Sequence, residues 1–188
     1  MDEIAAEIGV SKTVLYRYFV DKNDLTTAVM MRFAQTTLIP NMAAALSSNL
    51  DGFDLTREII RVYVATVAAE PEIYPFVMAN SSASKSKAVA DSEQIIARML
   101  GVMLRRRMAQ EGMDTGGAQP WAFMIVGGVQ LATHSWMSNP RMSADDLIDY
   151  LTMLSWSALR GIVEVGGSLD SFNSTTHPSP ELPRQLLH

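Results

Sequence analysis

Seven side chains within residues 11–22 have the chemistry of nucleic-acid contacts. Hydroxyl, phenol and amine groups donate hydrogen bonds to phosphate oxygens, whereas lysine, arginine and threonine contact base edges in the major groove. The candidates for phosphate contact are Ser11, Tyr16, Tyr18 and Lys22, and the candidates for base edges are Lys12, Thr13 and Arg17. The alternative interpretation is that the tyrosines are half-buried packing residues and that the charges form only a solvated face.

Two short helices joined by a turn would position these side chains. Gly9 tolerates the left-handed conformation that ends a helix, and the Ser11 hydroxyl is placed to cap the next helix. At helical spacing, the first helix would turn inward Ile4, Ala5 and Ile8, and the second would bury Val14, Leu15 and Phe19. The outer side of the second helix then carries six of the candidates, as in a helix-turn-helix that enters the major groove, and Lys22 lies in the first turn of the following helix.

The segment from Ile4 to Lys22, Ile-Ala-Ala-x-x-Gly-Val-Ser-Lys-x-x-Leu-Tyr-x-Tyr-Phe-x-x-Lys, resembles the DNA-reading segment of the tetracycline-repressor (TetR) family. The resemblance implies a transcriptional regulator, most often a repressor, that binds a palindromic double-stranded DNA operator as a homodimer. It also implies release by a small effector bound in a helical domain. The family usually has Gly-Thr at positions 13–14 and Pro-Ser at positions 20–21, and a further helix before the point where this sequence starts. We therefore expect the first family helix to be absent from this chain.

Composition limits the class of protein. With 188 residues, 48% of them hydrophobic, the chain can form a full hydrophobic core, and no apolar run is long enough to span a membrane. The absence of cysteine excludes disulfides and thiolate chemistry, which suits a cytoplasmic protein. A net charge of −5 argues against general affinity for nucleic acid, so any DNA contact must come from a local basic patch.

The remaining pattern predicts an all-α protein in which a small head precedes a larger helical bundle. We expect a partial DNA-binding head at residues 1–23, a ligand-binding and dimerisation bundle at 24–167, and a flexible tail at 168–188. Asp21 and Asp24 are spaced as a capping box for a helix that Pro40 kinks or ends. A short helix is predicted at 72–80, a polar connection at 81–87 and long helices up to the glycines near 112, 138 and 166.

The last two long helices are the predicted dimer contact, because both are apolar on more than one face. The candidates are Gly127, Gly128, Leu131, Leu147, Leu151, Leu154 and Ala158. The alternative is that these helices are central in one subunit and that the small residues relieve crowding there.

An effector cavity is predicted among the middle helices, because thirteen methionines provide flexible apolar walls. The candidates are Tyr63, Tyr74, Phe76, Met99, Met103, Trp121 and Met124. Few charged residues lie on these faces, so a small apolar effector is expected. The alternative is that these side chains are ordinary core.

No catalytic or metal-binding pattern is present, and no cofactor is expected. The three histidines, His134, His177 and His188, are isolated from carboxylates at ligand spacing, and no nucleophile elbow or phosphate-binding glycine loop occurs. The rival to a DNA-binding regulator is a helical carrier or partner-docking bundle that keeps a relic head. An enzyme is a more distant third possibility.

Overall fold

The protein is all-α in the part described by the computed structural model, which covers residues 1–69 and 83–178 and leaves aside the side chains of Met30 and residues 83–93. The head contains α1 (Asp2–Glu7) and α2 (Lys12–Tyr18). The body contains α3 (Lys22–Phe33), α4 (Ile39–Leu46), α5 (Gly52–Ala68), α6 (Ala83–Gln110), α7 (Ala118–Ser138) and α8 (Ala144–Glu164), followed by a short α9 (Leu169–Ser174).

Local capping chemistry sets several helix starts where the sequence predicts them. The Asp24 backbone N–H donates to the Asp21 carboxylate, while the Asp24 carboxylate accepts from the Val20 N–H. At α8 the Ser143 hydroxyl oxygen accepts from the Asp146 N–H and donates to its carboxylate. Such reciprocal bonds satisfy N–H groups that have no partner inside the helix.

The sequence predicts that Pro40 kinks or ends the helix that leaves the head, and in the structure the helix continues past Pro40. A π-helical segment, Ala34–Leu38, joins α3 to α4, and the Ile39 N–H bonds to the Ala34 carbonyl five residues earlier. Pro40 has no N–H to give to residue 36, and its ring would collide with that carbonyl in a regular helix. The wider turn accommodates the ring, so residues 22–46 form one continuous helical rod from head to body.

The body is built around one hydrophobic core. Helix α6 packs along α7, and α5 packs against α4 and α8. The core is centred on side chains that are almost wholly buried, namely Ile60, Val64, Val67 and Ile96. On the outside, the Arg57 guanidinium of α5 pairs with the Asp149 carboxylate of α8 at 2.8 Å.

Three further predictions of the chain's organisation need comment. The sequence predicts a polar connection at 81–87, but residues 83–87 form the start of α6, a helix that packs on α7, and residues 81–82 lie outside the described residues. The predicted tail begins with α9, which the Ser168 hydroxyl caps by accepting from the Ser171 N–H. The helix predicted at 72–80 lies outside the described residues.

His134 gives the body a pH-dependent stability. Its side chain is buried in α7, and this burial lowers the pKa of the imidazole from 6.5 to about 4. The folded state therefore resists protonation that the unfolded chain accepts from about pH 6.5 downward. The stabilisation is complete above pH 6.5 and is lost as the pH falls toward 4, by about 3 kcal/mol in all.

We predict that His134→Gln flattens this pH dependence. Urea unfolding of the wild-type chain should lose stability between pH 6.5 and 5 with a slope approaching 1.4 kcal/mol per pH unit. The variant should lose less over that interval. His177→Gln is the control, since it alters an exposed histidine and leaves buried His134 in place. Equal slopes for the wild type and His134→Gln would contradict the prediction.

Candidate nucleic-acid interface and apolar cavity

The head is a helix-turn-helix with the predicted turn chemistry. Gly9 has a backbone φ of 71°, which residues other than glycine rarely adopt. This turn directs the chain from α1 into α2. Ser11 caps α2 by accepting from the Val14 N–H at 3.4 Å. Leu15 is buried on the inner side of α2, whereas Val14 and Phe19 are only half-buried.

All seven predicted nucleic-acid contacts are exposed on this head. They are Ser11, Lys12, Thr13, Tyr16, Arg17, Tyr18 and Lys22. The side chain of Tyr16 is 47% exposed and that of Tyr18 is 65% exposed, which counts against the interpretation that the two tyrosines are packing residues. The side chains are thus accessible as DNA contact requires, while the contact itself stays a prediction.

Two polar contacts orient side chains on the outer face of α2. The Lys12 ammonium lies 2.8 Å and 2.9 Å from the two carboxylate oxygens of Asp2, at the start of α1. The Arg17 guanidinium donates to the Tyr18 hydroxyl at 3.0 Å and lies 5.0 Å from the centre of its ring. Arg17 therefore keeps its positive charge beside a neutral partner, whereas Lys12 is paired with an acid.

An apolar cavity of about 240 Å³ lies in the body between α5, α6, α7 and α8. Its walls include Leu55, Ile59, Leu100, Met103, Trp121, Ile125, Trp156 and Ile162, and the charged side chains among its lining residues are Arg107 and Glu111. Gly117 makes room for the Trp121 wall, since a Cβ at this position would lie 2.1 Å from the indole. The cavity can hold a small apolar molecule with little polar decoration.

The structure brings only some of the predicted pocket residues to this cavity. Met103 and Trp121 line it, whereas Tyr63 is buried in the neighbouring core and Met99 lines a separate open cleft. Met124 is 60% exposed, so its assignment to the pocket is wrong. Tyr74 and Phe76 lie outside the described residues.

Sequence reasoning missed the contribution of α8 to the cavity. Trp156, Leu159, Ile162 and Val163 line it from the C-terminal half of that helix. Trp156 also packs edge-on against Phe53, with ring centroids 5.7 Å apart. The only available signal was that α8 is apolar on two faces, and this was attributed to a partner subunit.

The outer sides of α7 and α8 form an exposed apolar face. We define this α7–α8 face by Phe123, Met124, Leu131, Tyr150, Met153 and Leu154, all of which are exposed. Leu131 is 71% and Leu154 is 70% exposed. Gly127 and Gly128 are also exposed, and a Cβ at either one would meet nothing within 4 Å. These glycines therefore do not relieve crowding inside the subunit.

Two of the predicted dimer-contact leucines belong instead to the core of the chain. Leu147 is 6% exposed and lies within the main hydrophobic cluster, and Leu151 is half-buried against it. Leu154, about one turn further along α8, is 70% exposed and does not belong to this cluster. Ala158 is half-buried.

Metal sites and membrane-spanning helices would indicate other classes of function. Among the side chains that the structure describes, in residues 1–69 and 94–178, no group of three His, Asp or Glu is arranged to hold a metal ion. Within the same ranges, no helix combines the length and the apolar character needed to cross a bilayer.

Comparison with known proteins assigns both parts of the chain. Residues 41–170 match the family described as "Tetracyclin repressor-like, C-terminal domain", and residues 1–29 match "Bacterial regulatory proteins, tetR family". An uncharacterized HTH-type transcriptional regulator of Mycobacterium tuberculosis is 81% identical over 183 residues, which cover 97% of this chain and 78% of that protein. The HTH-type transcriptional activator FasR of Mycolicibacterium smegmatis is 22% identical over 160 residues, covering 85% of this chain and 73% of FasR.

Solved structures share the fold at low sequence identity. A TetR-family regulator from Syntrophomonas wolfei superposes with a TM-score of 0.68 at 19% identity, covering 90% of this chain and 84% of that one. A TetR-like regulator from Rhodococcus sp. RHA1 gives a TM-score of 0.63 at 20% identity, covering 85% and 84%. The two family matches and the relative at 81% identity show that the chain belongs to the TetR family of DNA-binding transcriptional regulators, a non-enzymatic class.

Proposed function

We propose that the chain is a cytoplasmic repressor that binds a palindromic operator as a homodimer and is released by a small apolar effector. The observation that carries the proposal is the simultaneous exposure of all seven predicted contacts, six of them on the helix-turn-helix and Lys22 at the start of α3. Phosphate contacts would come from Ser11, Tyr16, Tyr18 and Lys22, and base contacts from Lys12, Thr13 and Arg17. Two such heads about 34–36 Å apart would match successive major grooves on one side of a duplex.

The α7–α8 face supports the homodimer. Exposed apolar side chains on both helices, together with exposed Gly127 and Gly128, would let a second helix pair approach closely. The same face on two copies gives a closed contact with twofold symmetry, and this symmetry is what a palindromic operator requires.

The continuous rod of residues 22–46 supports coupling between cavity and head. Helix α3 begins directly after the reading helix and packs against α6, while α6 lines the cavity. An effector that displaces α6 would therefore move α3 and change the separation of the two heads. The effector must have different affinities for the two conformations that differ in head spacing. The coupling free energy between effector binding and DNA binding is usually about 1–3 kcal/mol in such systems.

DNA binding under varied salt tests the proposal. The full chain, with any in-frame residues that its gene encodes before Met1, is mixed with DNA from upstream of its own gene and with shuffled duplexes of equal length. We expect selective binding whose logarithm falls linearly with the logarithm of salt concentration. Weak binding that is equal for both duplexes and insensitive to salt would exclude a DNA role. A reporter on the same DNA should be silenced by the chain, and an increase in its expression would exclude repression.

Filling the cavity should abolish uptake of an apolar probe. We predict that Met103→Trp weakens binding of the neutral dye N-phenyl-1-naphthylamine at least tenfold, because the larger indole occupies space that the dye needs. Fluorescence titration measures this affinity. Met142→Trp is the control, since it makes the same change at an exposed position outside the cavity. Equal dye affinities for the two variants would show that the dye binds elsewhere.

A further inference from the structure

Asp2 is the acidic partner of a residue that is expected to contact bases. The Lys12 ammonium engages both carboxylate oxygens, at 2.8 Å and 2.9 Å, across the junction between α1 and α2. The contact raises the pKa of Lys12 and lowers the pKa of Asp2, in each case chiefly through the hydrogen bond between them. Both groups remain charged, and both are exposed to solvent, so the pair can open when a competing acceptor arrives.

The pair changes what Lys12 can offer to DNA. An ammonium has three donors and a single positive charge. When a carboxylate pairs with it, the negative charge largely cancels its attraction for a distant phosphate. Non-specific DNA binding depends almost entirely on attraction between basic side chains and phosphates, so pairing with Asp2 removes the contribution of Lys12 to non-specific binding. A guanine edge offers Lys12 two fixed acceptors, O6 and N7, which can replace the two carboxylate oxygens at short range.

We propose that Asp2 sets the DNA selectivity of the head, because it withholds the Lys12 ammonium from phosphates and releases it to a matching base edge. The inference rests on the proposed contact between Lys12 and DNA. Asp2 itself is a positioning residue that acts through Lys12. Arg17 remains available to attract phosphates, since its guanidinium lies over the Tyr18 ring, 5.0 Å from the ring centre.

The neighbouring acid provides a matched control. Glu3 follows Asp2 on α1 and is also exposed, but it forms no ion pair among the described residues. Replacing either residue by its amide removes one negative charge from the same helix. Only Asp2→Asn also releases Lys12. A difference between Asp2→Asn and Glu3→Gln therefore reports the ion pair rather than net charge.

The experiment measures binding of the full chain to two duplexes at several salt concentrations. One duplex is enriched from a random pool by the wild-type chain, and the other is a shuffled version of it. Asp2→Asn should raise affinity for the shuffled duplex by about two- to fivefold per head, and should steepen the salt slope by about 0.9 per head. Affinity for the enriched duplex should rise less, so the ratio between the two falls. Glu3→Gln should leave this ratio near the wild-type value.

A second background separates the outcomes. In Lys12→Gln chains, adding Asp2→Asn should no longer change the ratio, because the residue through which Asp2 acts is gone. Equal effects of Asp2→Asn and Glu3→Gln, or an effect that persists in Lys12→Gln, would overturn the inference while leaving DNA binding intact. Failure of the wild-type chain to enrich any duplex would instead overturn the proposed function.

Discussion

Replacing Leu131 and Leu154 together by Glu should convert a dimer into a monomer. The two side chains are 71% and 70% exposed in the isolated chain, and they lie on the α7–α8 face defined above. In a twofold contact each substitution occurs twice, so four buried leucines are lost. At about 2 kcal/mol for each apolar side chain, the loss approaches 8 kcal/mol, which corresponds to a dissociation constant nearly 10⁶-fold higher.

Sedimentation equilibrium measures this change directly. The wild-type chain should sediment at twice its mass of 20.7 kDa, and the double variant at 20.7 kDa. Leu169→Glu is the control, because Leu169 is equally exposed at 71% but lies on α9, outside the face. The Leu169→Glu variant should keep the helical content of the wild type and should remain a dimer. A wild-type monomer, or a double variant that remains dimeric, would show that the α7–α8 face is not the contact.

The same variant tests why the heads must be joined. Two linked heads bind one duplex with a high effective concentration for the second contact, and separated heads lose that advantage. The double variant should therefore bind operator DNA at least a hundredfold more weakly although its reading helix is unchanged. Unchanged DNA affinity in a proven monomer would mean that one head is sufficient.

Sequence reasoning succeeded where the physics is local. The Gly9 turn, the Ser11 cap and the Asp21 and Asp24 box each depend on groups within four residues of one another, and each is present in the structure. Helical periodicity likewise identified which side of α2 faces outward. The head and the all-α class were predictable because their determinants lie inside short windows of sequence.

The errors arose where distant segments decide. An apolar helix with two apolar faces does not reveal which face meets its own core, and Leu147 was therefore assigned to the dimer although it is buried within the subunit. The cavity wall supplied by Trp156 depends on the meeting of α8 with α5, about a hundred residues earlier in the chain. Such pairings are fixed by tertiary packing, and the hydrophobic periodicity of a single helix does not indicate which other helix it meets.

Pro40 shows a case in which sequence reasoning left two outcomes open. Proline is expected to kink or end a helix, and the rule follows from its missing N–H and its bulky ring. The chain continues through Pro40 and widens the turn before it, with Ala34 and Leu38 of that turn buried in the body. Burial of these two side chains offsets the poorer π-helical geometry, a balance that helix propensity alone does not predict.

Removing the Tyr16 hydroxyl should have the second large effect. The phenol stands exposed on the outer face of α2, and its predicted partner is a phosphate oxygen. A hydrogen bond to a charged group contributes about 1.5–3 kcal/mol, which is at least tenfold in affinity for each head. Tyr16→Phe in both subunits of a dimer should therefore weaken operator binding at least a hundredfold.

The design of this substitution separates DNA contact from packing. Phe keeps the ring and loses only the hydroxyl, so a tyrosine that serves packing alone would leave both stability and binding unchanged. Thermal unfolding should be the same for the variant and the wild type, because the hydroxyl lies on an exposed side chain. Ser174→Ala removes a hydroxyl from an exposed side chain on α9, outside both the head and the α7–α8 face, and should retain wild-type operator affinity. If Tyr16→Phe binds the operator as tightly as Ser174→Ala does, the outer face of α2 does not contact the phosphates through this residue, and the orientation proposed for the head on DNA is wrong.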